Sequence, residues 1–236
     1  MPLFFMMINP LSKIIDLFFP RTCMACGNIL MDNNQIICHT CLTGLPYTYF
    51  HADNKNLMYK RLSTFIPITS AFSLLYFQKK SIVQEILHQL KYKNHQEIGE
   101  FFGKIMANHI KNTMGYIKYD YIIPVPLHPK KMKTRGYNQL SYLCKTLAEE
   151  LGSICDENLL LKIINNESQT HKNSEERKRN VKDIFQLHGN TKKYENKHLL
   201  LIDDVMTTGA TLESAAKELL KINNIKLSIA TLAMVQ

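Results

Sequence analysis

The residues of this 236-residue chain best suited to chemistry are two adjacent carboxylates set against a threonine-rich turn, Asp203-Asp204-Val205-Met206-Thr207-Thr208-Gly209-Ala210-Thr211. The threonine hydroxyls can donate to phosphate oxygens. Gly209 lets the backbone approach a phosphate closely, and a helix starting near Thr211 would add its amino-terminal N–H groups and dipole. Carboxylates beside a phosphate are repulsive unless the ligand also brings hydroxyls, because an ionised carboxylate only accepts hydrogen bonds. A phosphorylated sugar offers both groups, and a bound Mg²⁺ would relieve the remaining repulsion. A lone Asp-Asp more often caps a strand and starts a turn. Here the apolar run Leu199-Leu200-Leu201-Ile202 precedes it, as in a strand buried on both faces. Thr-Thr-Gly-x-Thr follows it, and the whole points to a sugar-phosphate loop.

Cations gather upstream. Lys130, Lys131, Lys133 and Arg135 fall within six residues just past an expected strand end. Such a cluster suits a pyrophosphate or a nucleic-acid backbone, with a solvated surface run as the competing reading. Arg135 is the strongest member, because Gly136 beside it permits an unusual backbone. Tyr137 either stacks on a base or packs in the core. A polar stretch from Asn165 to Asn180 carries Gln169, His171, Arg177, Lys178 and Arg179 against Glu175 and Glu176. Polar segments of that length inside a compact domain are functional or simply solvated. His128 and His171 lie near the same region by topology, but a loop histidine is more often solvent-exposed than an acid or base.

Four of the six cysteines form two C-x-x-C pairs, Cys23/Cys26 and Cys38/Cys41, separated by eleven residues. Four thiolates make a closed tetrahedral Zn²⁺ site, structural because no position stays open for water. A redox dithiol is the alternative, but it normally sits at a helix start in a thioredoxin-like βαβ unit, which is missing around these residues. His39 is expected as a neighbour of the metal, and Cys144 and Cys155 as packing residues.

These residues need elements to hold them. Residues 1–50 contain an apolar amino-terminal segment and both cysteine pairs; residues 51–236 read as one domain, with a lead-in at 51–115 and a core at 116–236. The lead-in holds an apolar run, Ile66 to Phe77, then two helical patterns. Ile82, Val83, Ile86, Leu87 and Leu90 make the first; Ile98, Phe101, Phe102, Ile105, Met106 and Ile110 make the second. The core alternates strands (Tyr121–Val125, Leu159–Ile164, His198–Ile202, Leu227–Val235) with helices (Leu140–Leu151, Thr211–Lys221). That alternation predicts an α/β fold with a mostly parallel sheet, whose ligands bind at the carboxyl ends of strands. Those ends bring Val125, Ile202 and the stretch after Ile164 to one rim.

The segment Met1 to Phe19 is broken by Pro10, Lys13 and Asp16, lacks a basic start and a small-residue cleavage site, and is too short for a span. It reads as an amphipathic piece packing on the domain, with cytoplasmic location and no stable membrane insertion expected. A net charge of +9 suits polyanions, whether nucleic acid or phosphorylated small molecules, without choosing between them.

The run from Leu199 to Thr211 resembles the phosphoribosyl-pyrophosphate (PRPP) signature of type I phosphoribosyltransferases. By that resemblance Asp203 and Asp204 hold the ribose hydroxyls, and Val205 to Thr211 hold the 5′-phosphate. More of the chain resembles the ComF family (ComFC and GntX-type proteins). The likeness is carried by Leu90-Lys91-Tyr92-Lys93, Pro124-Val125-Pro126-Leu127-His128-Pro129, Arg135-Gly136-Tyr137-Asn138-Gln139, Gln169-Thr170, Glu176-Arg177, Asn180-Val181-Lys182 and the paired cysteines. These motifs run in one order over most of residues 17–213.

The ComF resemblance implies a small zinc module joined to a phosphoribosyltransferase-like domain, with Mg²⁺ accompanying PRPP. It implies, for some members, handling of incoming single-stranded DNA in natural transformation, with other competence proteins as partners. The stretch holding Gln169 and Arg177 would be a lid that closes over PRPP. In an active enzyme a nucleobase or amine would displace pyrophosphate, with Asp203, Asp204 and Arg135 at the reacting centre; a catalytically silent PRPP sensor is a third reading. The chain departs from the family at Lys131, Lys133 and Lys162, where relatives tend to have arginine, and at Ser174. Lysine keeps the charge but not the bidentate fork, and serine keeps neither.

Overall fold

A computed structural model of the chain describes residues 20–32, 35–50, 53, 55–92, 95–113, 117–163 and 184–236. The amino-terminal segment Met1 to Phe19 and the stretch holding Gln169, His171, Ser174 and Arg177 lie outside the described residues. The chain divides into two compact units, Met1–Leu45 and Pro46–Gln236.

The larger unit is built on a five-stranded sheet whose described pairings are all parallel. Its strands are β1 (Ser70–Phe77), β2 (Tyr121–Pro124), β3 (Ile154–Cys155), β6 (His198–Met206) and β7 (Lys226–Val235), ordered β1-β7-β6-β2-β3. Leu199 to Ile202 are 0% exposed, which is why that stretch reads as an unbroken apolar run. Each such aliphatic side chain stabilises the fold by roughly 1.5–3 kcal/mol. A separate antiparallel pair, β4 (Leu160–Lys162) and β5 (Phe185–Leu187), stands apart from the sheet. The expected strand from Leu159 to Ile164 is thus not a central strand. Its alternate residues Leu161 and Ile163 are exposed, whereas a central parallel strand buries both faces.

The lead-in helices form as the spacing predicts. In α3 (Ile82–Tyr92) the buried residues are Val83, Ile86, Leu87 and Leu90; in α4 (Gln96–Thr113) they include Ile98, Phe102, Met106 and Ile110. Before them come the short α1 (His39–Thr43) and α2 (Leu57–Ser63). The helix α6 (Ser141–Leu151) packs tightly on α4. A Cβ on Gly103 would lie 2.9 Å from the Leu143 carbonyl oxygen, so the backbones could not approach this closely with any larger residue. The apolar run from Ile66 becomes strand only at Ser70, after Pro67, which has no N–H for a ladder.

After β2 the chain runs to β3 on one side; after β6 it runs to β7 on the other. The reversal falls between β2 and β6, and the crevice at the carboxyl ends of these two strands is where such sheets bind ligands. No helix among the described residues is long and apolar enough to cross a membrane.

Candidate functional site

β6 continues four residues beyond the expected end at Ile202. Asp203, Val205 and Met206 keep register with Thr231, Ala233 and Met234 of β7, while β2 stops opposite Ile202 at Pro124. The acid pair therefore lies inside a strand whose β2-side neighbour has ended, with Asp203 9% and Asp204 6% exposed. Burial pushes the Asp203 carboxyl up to about 8, and the charge of Asp204 adds to the shift. The backbone N–H of Asp204 donates to Asp203 Oδ1 at 2.8 Å and opposes it. On Asp204, Oδ2 accepts from Gln139 Nε2 at 2.9 Å and faces Lys91 Nζ at 3.1 Å.

The turn after Met206 reaches Gly209, whose φ of 89° is left-handed and caps α7 (Ala210–Leu219). The first intrahelical hydrogen bond runs from Glu213 N to the Gly209 carbonyl at 2.9 Å. The N–H groups of the preceding turn thus have no intrahelical carbonyl to meet, the usual basis of an anion site. Val205 and the exposed Thr207 and Thr211 line the cleft; Thr208 and Ala210, exposed as well, are not part of its lining. The Met206 side chain is buried in the core, so only its backbone can face a ligand.

The cationic run forms a helix, α5 (Pro129–Arg135), that buries none of its residues. Pro129 starts it, and the His128 ring caps it by accepting from Lys130 N at 3.2 Å. Lys131 and Arg135, four residues apart on one helix face, both line the cleft; Lys130 and Lys133 point elsewhere and are exposed. Gly136, with φ at 79°, ends the helix in a left-handed turn that only glycine adopts cheaply.

The next three residues each brace the site. Tyr137 Oη donates to the Leu90 carbonyl at 3.0 Å, so this ring is a structural anchor. Asn138 bridges the turn, its Nδ2 donating to the Val125 carbonyl at 3.2 Å and its Oδ1 accepting from Leu140 N at 3.1 Å. Gln139 accepts from Arg135 at 3.0 Å while donating to Asp204.

A cleft of about 280 Å³ results, lined by the cations Lys91, Lys131, Arg135 and Lys162, by His128 and by both aspartates. Lys162 reaches it from β4, its Nζ 5.4 Å from the centre of the Phe185 ring. Burial holds its ammonium below the ordinary lysine range, with Lys131 pressing the same way and Asp203 opposing. Of the residues singled out in the sequence, the fold brings Asp203, Asp204, Lys131, Arg135, His128, Thr207 and Thr211 together and leaves Lys133 outside. Gln139 and Lys91 were visible as letters of motifs, but nothing local to them points to Asp204, which is 65 residues from Gln139.

In the smaller unit the four cysteines converge. Their Sγ atoms all lie within 4.8 Å of one another, a set that could hold a metal ion such as zinc. Four sulfurs at roughly 2.3 Å from a tetrahedral zinc stand about 3.8 Å apart, inside that limit. Two tight turns build the cluster. Cys23 N donates to the Asn28 carbonyl at 2.7 Å and Gly27 N to the Cys23 carbonyl at 2.8 Å, while Cys38 N donates to Cys23 Sγ at 3.3 Å. Burial pushes the Cys23 thiol up, but the N–H groups of Cys38, Cys26 and Ala25 outweigh it and bring it down to about 7. Burial and the neighbouring thiols drive Cys41 the other way. Cys144 is fully buried in α6, which keeps its thiol protonated, as a packing residue requires.

Residues 141–235 match the family described as the phosphoribosyl transferase domain. The "DNA utilization protein YhgH" of Salmonella typhi is 31% identical over 58% of this chain and 60% of its own length. The chain thus spans about 60% of that relative. The protein of the same name in Escherichia coli O157:H7 is 28% identical over 84% of each chain. "Competence protein ComFC" of Bacillus subtilis is 30% identical over 63% of this chain and 60% of its own. Among solved structures, adenine phosphoribosyltransferase from Leishmania tarentolae covers 77% of the chain at 13% identity and a TM-score of 0.36.

Proposed function

We propose that this chain, a ComF-family, phosphoribosyltransferase-like protein, is a cytoplasmic PRPP-binding protein that handles incoming single-stranded DNA in natural transformation. The observation that carries the PRPP reading is the pairing of two buried carboxylates at the end of β6 with the left-handed Gly209 and the start of α7. Hydroxyl recognition and phosphate recognition then stand side by side at the sheet's switch point.

In this reading Asp203 and Asp204 accept hydrogen bonds from the ribose hydroxyls. The backbone from Val205 to Thr211, with the Thr207 and Thr211 hydroxyls, holds the 5′-phosphate. Lys131, Arg135 and Lys162 face the pyrophosphate; Gln169 and Arg177, outside the described residues, are assigned to PRPP by the family resemblance alone. Lys133, on the far face of α5, serves DNA rather than PRPP. The donor set suits Mg²⁺, since two hard carboxyl groups stand side by side where burial, with their mutual repulsion, raises the Asp203 pKa, a conflict that a divalent cation would relieve. When bound with PRPP, that ion would neutralise pyrophosphate charge. The four cysteines would hold a structural zinc.

The DNA reading is supported by the names of the relatives, "DNA utilization protein" and "Competence protein", and by the net charge of +9. Competence proteins are its expected partners. The test is calorimetry with PRPP and Mg²⁺ beside single-stranded DNA binding over a salt series. PRPP binding that Asp203→Asn/Asp204→Asn abolishes, with DNA affinity falling steeply as salt rises, supports both halves. No binding of PRPP, or DNA affinity indifferent to salt, removes the corresponding half.

A second reading is favoured by the cations of the cleft, which are placed to stabilise departing pyrophosphate. It is an active, Mg²⁺-dependent phosphoribosyltransferase on a nucleobase or amine acceptor. Pyrophosphate release on adding one acceptor from a pooled screen would establish it.

A further inference from the structure

Lys91 belongs to neither β6, α7 nor the turn after α5, yet its Nζ lies 3.1 Å from Asp204 Oδ2. It is the penultimate residue of α3, and the carbonyl just before it, on Leu90, accepts from Tyr137 Oη at 3.0 Å. The same Asp204 oxygen accepts from Gln139 at 2.9 Å, and Gln139 accepts from Arg135 at 3.0 Å. Two consecutive residues at the end of α3 thus grip both the Arg135–Gln139 turn and the acid pair.

The Lys91 side chain is 23% and the Asp204 side chain 8% exposed, so the pair is screened less than one on the open surface. Asp203 has no partner cation within salt-bridge distance among the described residues, so Lys91, with Lys162 farther off, supplies the charge that two adjacent buried carboxylates need. An ammonium is a compact charge on a flexible stem and can swing off one carboxylate oxygen without moving its helix. The carboxylate it occupies is also one that a divalent cation would seek.

Resting on the reading of this cleft as a PRPP site, we propose that Lys91 is the resident counter-ion of the acid pair. It is a positioning residue that holds Asp204 ready for the ribose hydroxyls and competes with a divalent cation for that carboxylate. The acid pair then needs no metal to stay formed, and the free protein takes up a divalent cation weakly.

The test uses the full chain with its cysteine cluster loaded with zinc, titrated with Mn²⁺ alone and followed by the electron paramagnetic resonance signal of free Mn²⁺. Lys91→Gln is expected to bind Mn²⁺ on the order of tenfold tighter than the unmutated protein. Lys91→Arg, which keeps the charge, should stay near the unmutated value, and adding Asp204→Asn to Lys91→Gln should erase the gain. In the unmutated protein, the Lys91 ε-CH₂ resonance should shift on titration with Mg²⁺, a readout that stands even should Lys91→Gln fail to fold. Unchanged Mn²⁺ affinity in folded Lys91→Gln, a gain that survives Asp204→Asn, or a Lys91 resonance indifferent to Mg²⁺ would overturn the inference. Absence of PRPP binding by the unmutated protein with the Mn²⁺ gain intact would overturn the proposed function and leave the cation competition standing. PRPP binding with no Mn²⁺ gain would do the reverse.

Discussion

The two ends of the central sheet both bury polar side chains, and they treat them in opposite ways. At the amino end, Ser70 and Ser228 share a hydrogen bond at 2.8 Å, and His198 Nε2 meets Ser228 at 2.9 Å with its ring edge-on to Tyr119. Asp120 there accepts from His198 N at 2.9 Å, which holds its carboxyl below the ordinary range, and its pairing with Lys197 adds to the effect. At the carboxyl end, Asp203 and Asp204 stand side by side, and burial with mutual repulsion drives Asp203 upward. Polar groups that answer one another make a scaffold. Asp204 is answered by Gln139 and Lys91, whereas Asp203 stays in conflict with its neighbour, and a group left in conflict is one waiting for a ligand.

The largest expected effect breaks the carboxyl end. Asp203→Asn/Asp204→Asn should weaken PRPP binding on the order of hundredfold or more, because each lost acceptor served a ribose hydroxyl. A fold intact by circular dichroism with unaltered PRPP affinity would place the ligand elsewhere.

Acidity sharpens the same contrast. Asp203 has a folded-state pKa raised above its unfolded value, so the folded state holds its proton more tightly. The stability this provides is present at low pH and is lost as pH rises from about 4 through about 8. Asp203→Asn should flatten that part of the stability profile in urea denaturation. An unchanged slope would mean that the conflict is resolved in the free protein.

Gln139→Leu should come next, with PRPP affinity falling on the order of tenfold while the melting temperature moves little. It removes the donor that fixes Asp204 and one acceptor of Arg135. A melting temperature that collapses with unchanged affinity would make Gln139 a scaffold residue, like those at the other end.

Least of all, His198→Ala at the amino end should cost about 1 kcal/mol of stability and leave PRPP binding untouched. The burial that holds this imidazole neutral argues against a charged role for it. Loss of ligand affinity in that variant would erase the distinction between the two ends.

How much of this was legible in the sequence follows from how local each signal is. The acid pair, the threonine turn and the cysteine pairs are contiguous, and their chemistry can be read without a fold. The parallel sheet and the α3 and α4 helices follow from apolar spacing. The end of β6 was misplaced because acidic residues normally terminate a buried strand, whereas pairing with β7 carries this one through to Met206. The helix α5 was invisible because it buries nothing, so Pro129 to Arg135 carries no apolar period. Without that helix, Lys133 could not be separated from Lys131 and Arg135. The partners of Asp204, Gln139 and Lys91, meet it only through tertiary folding.

The central claim is that the carboxyl end of the sheet is a PRPP site built on Asp203 and Asp204. Calorimetric titration of PRPP with Mg²⁺ into the unmutated protein and into Asp203→Asn/Asp204→Asn tests it most directly. The account predicts saturable binding at one PRPP per chain that the double substitution abolishes. Absence of binding at millimolar PRPP, or binding that survives loss of both carboxylates, would contradict it.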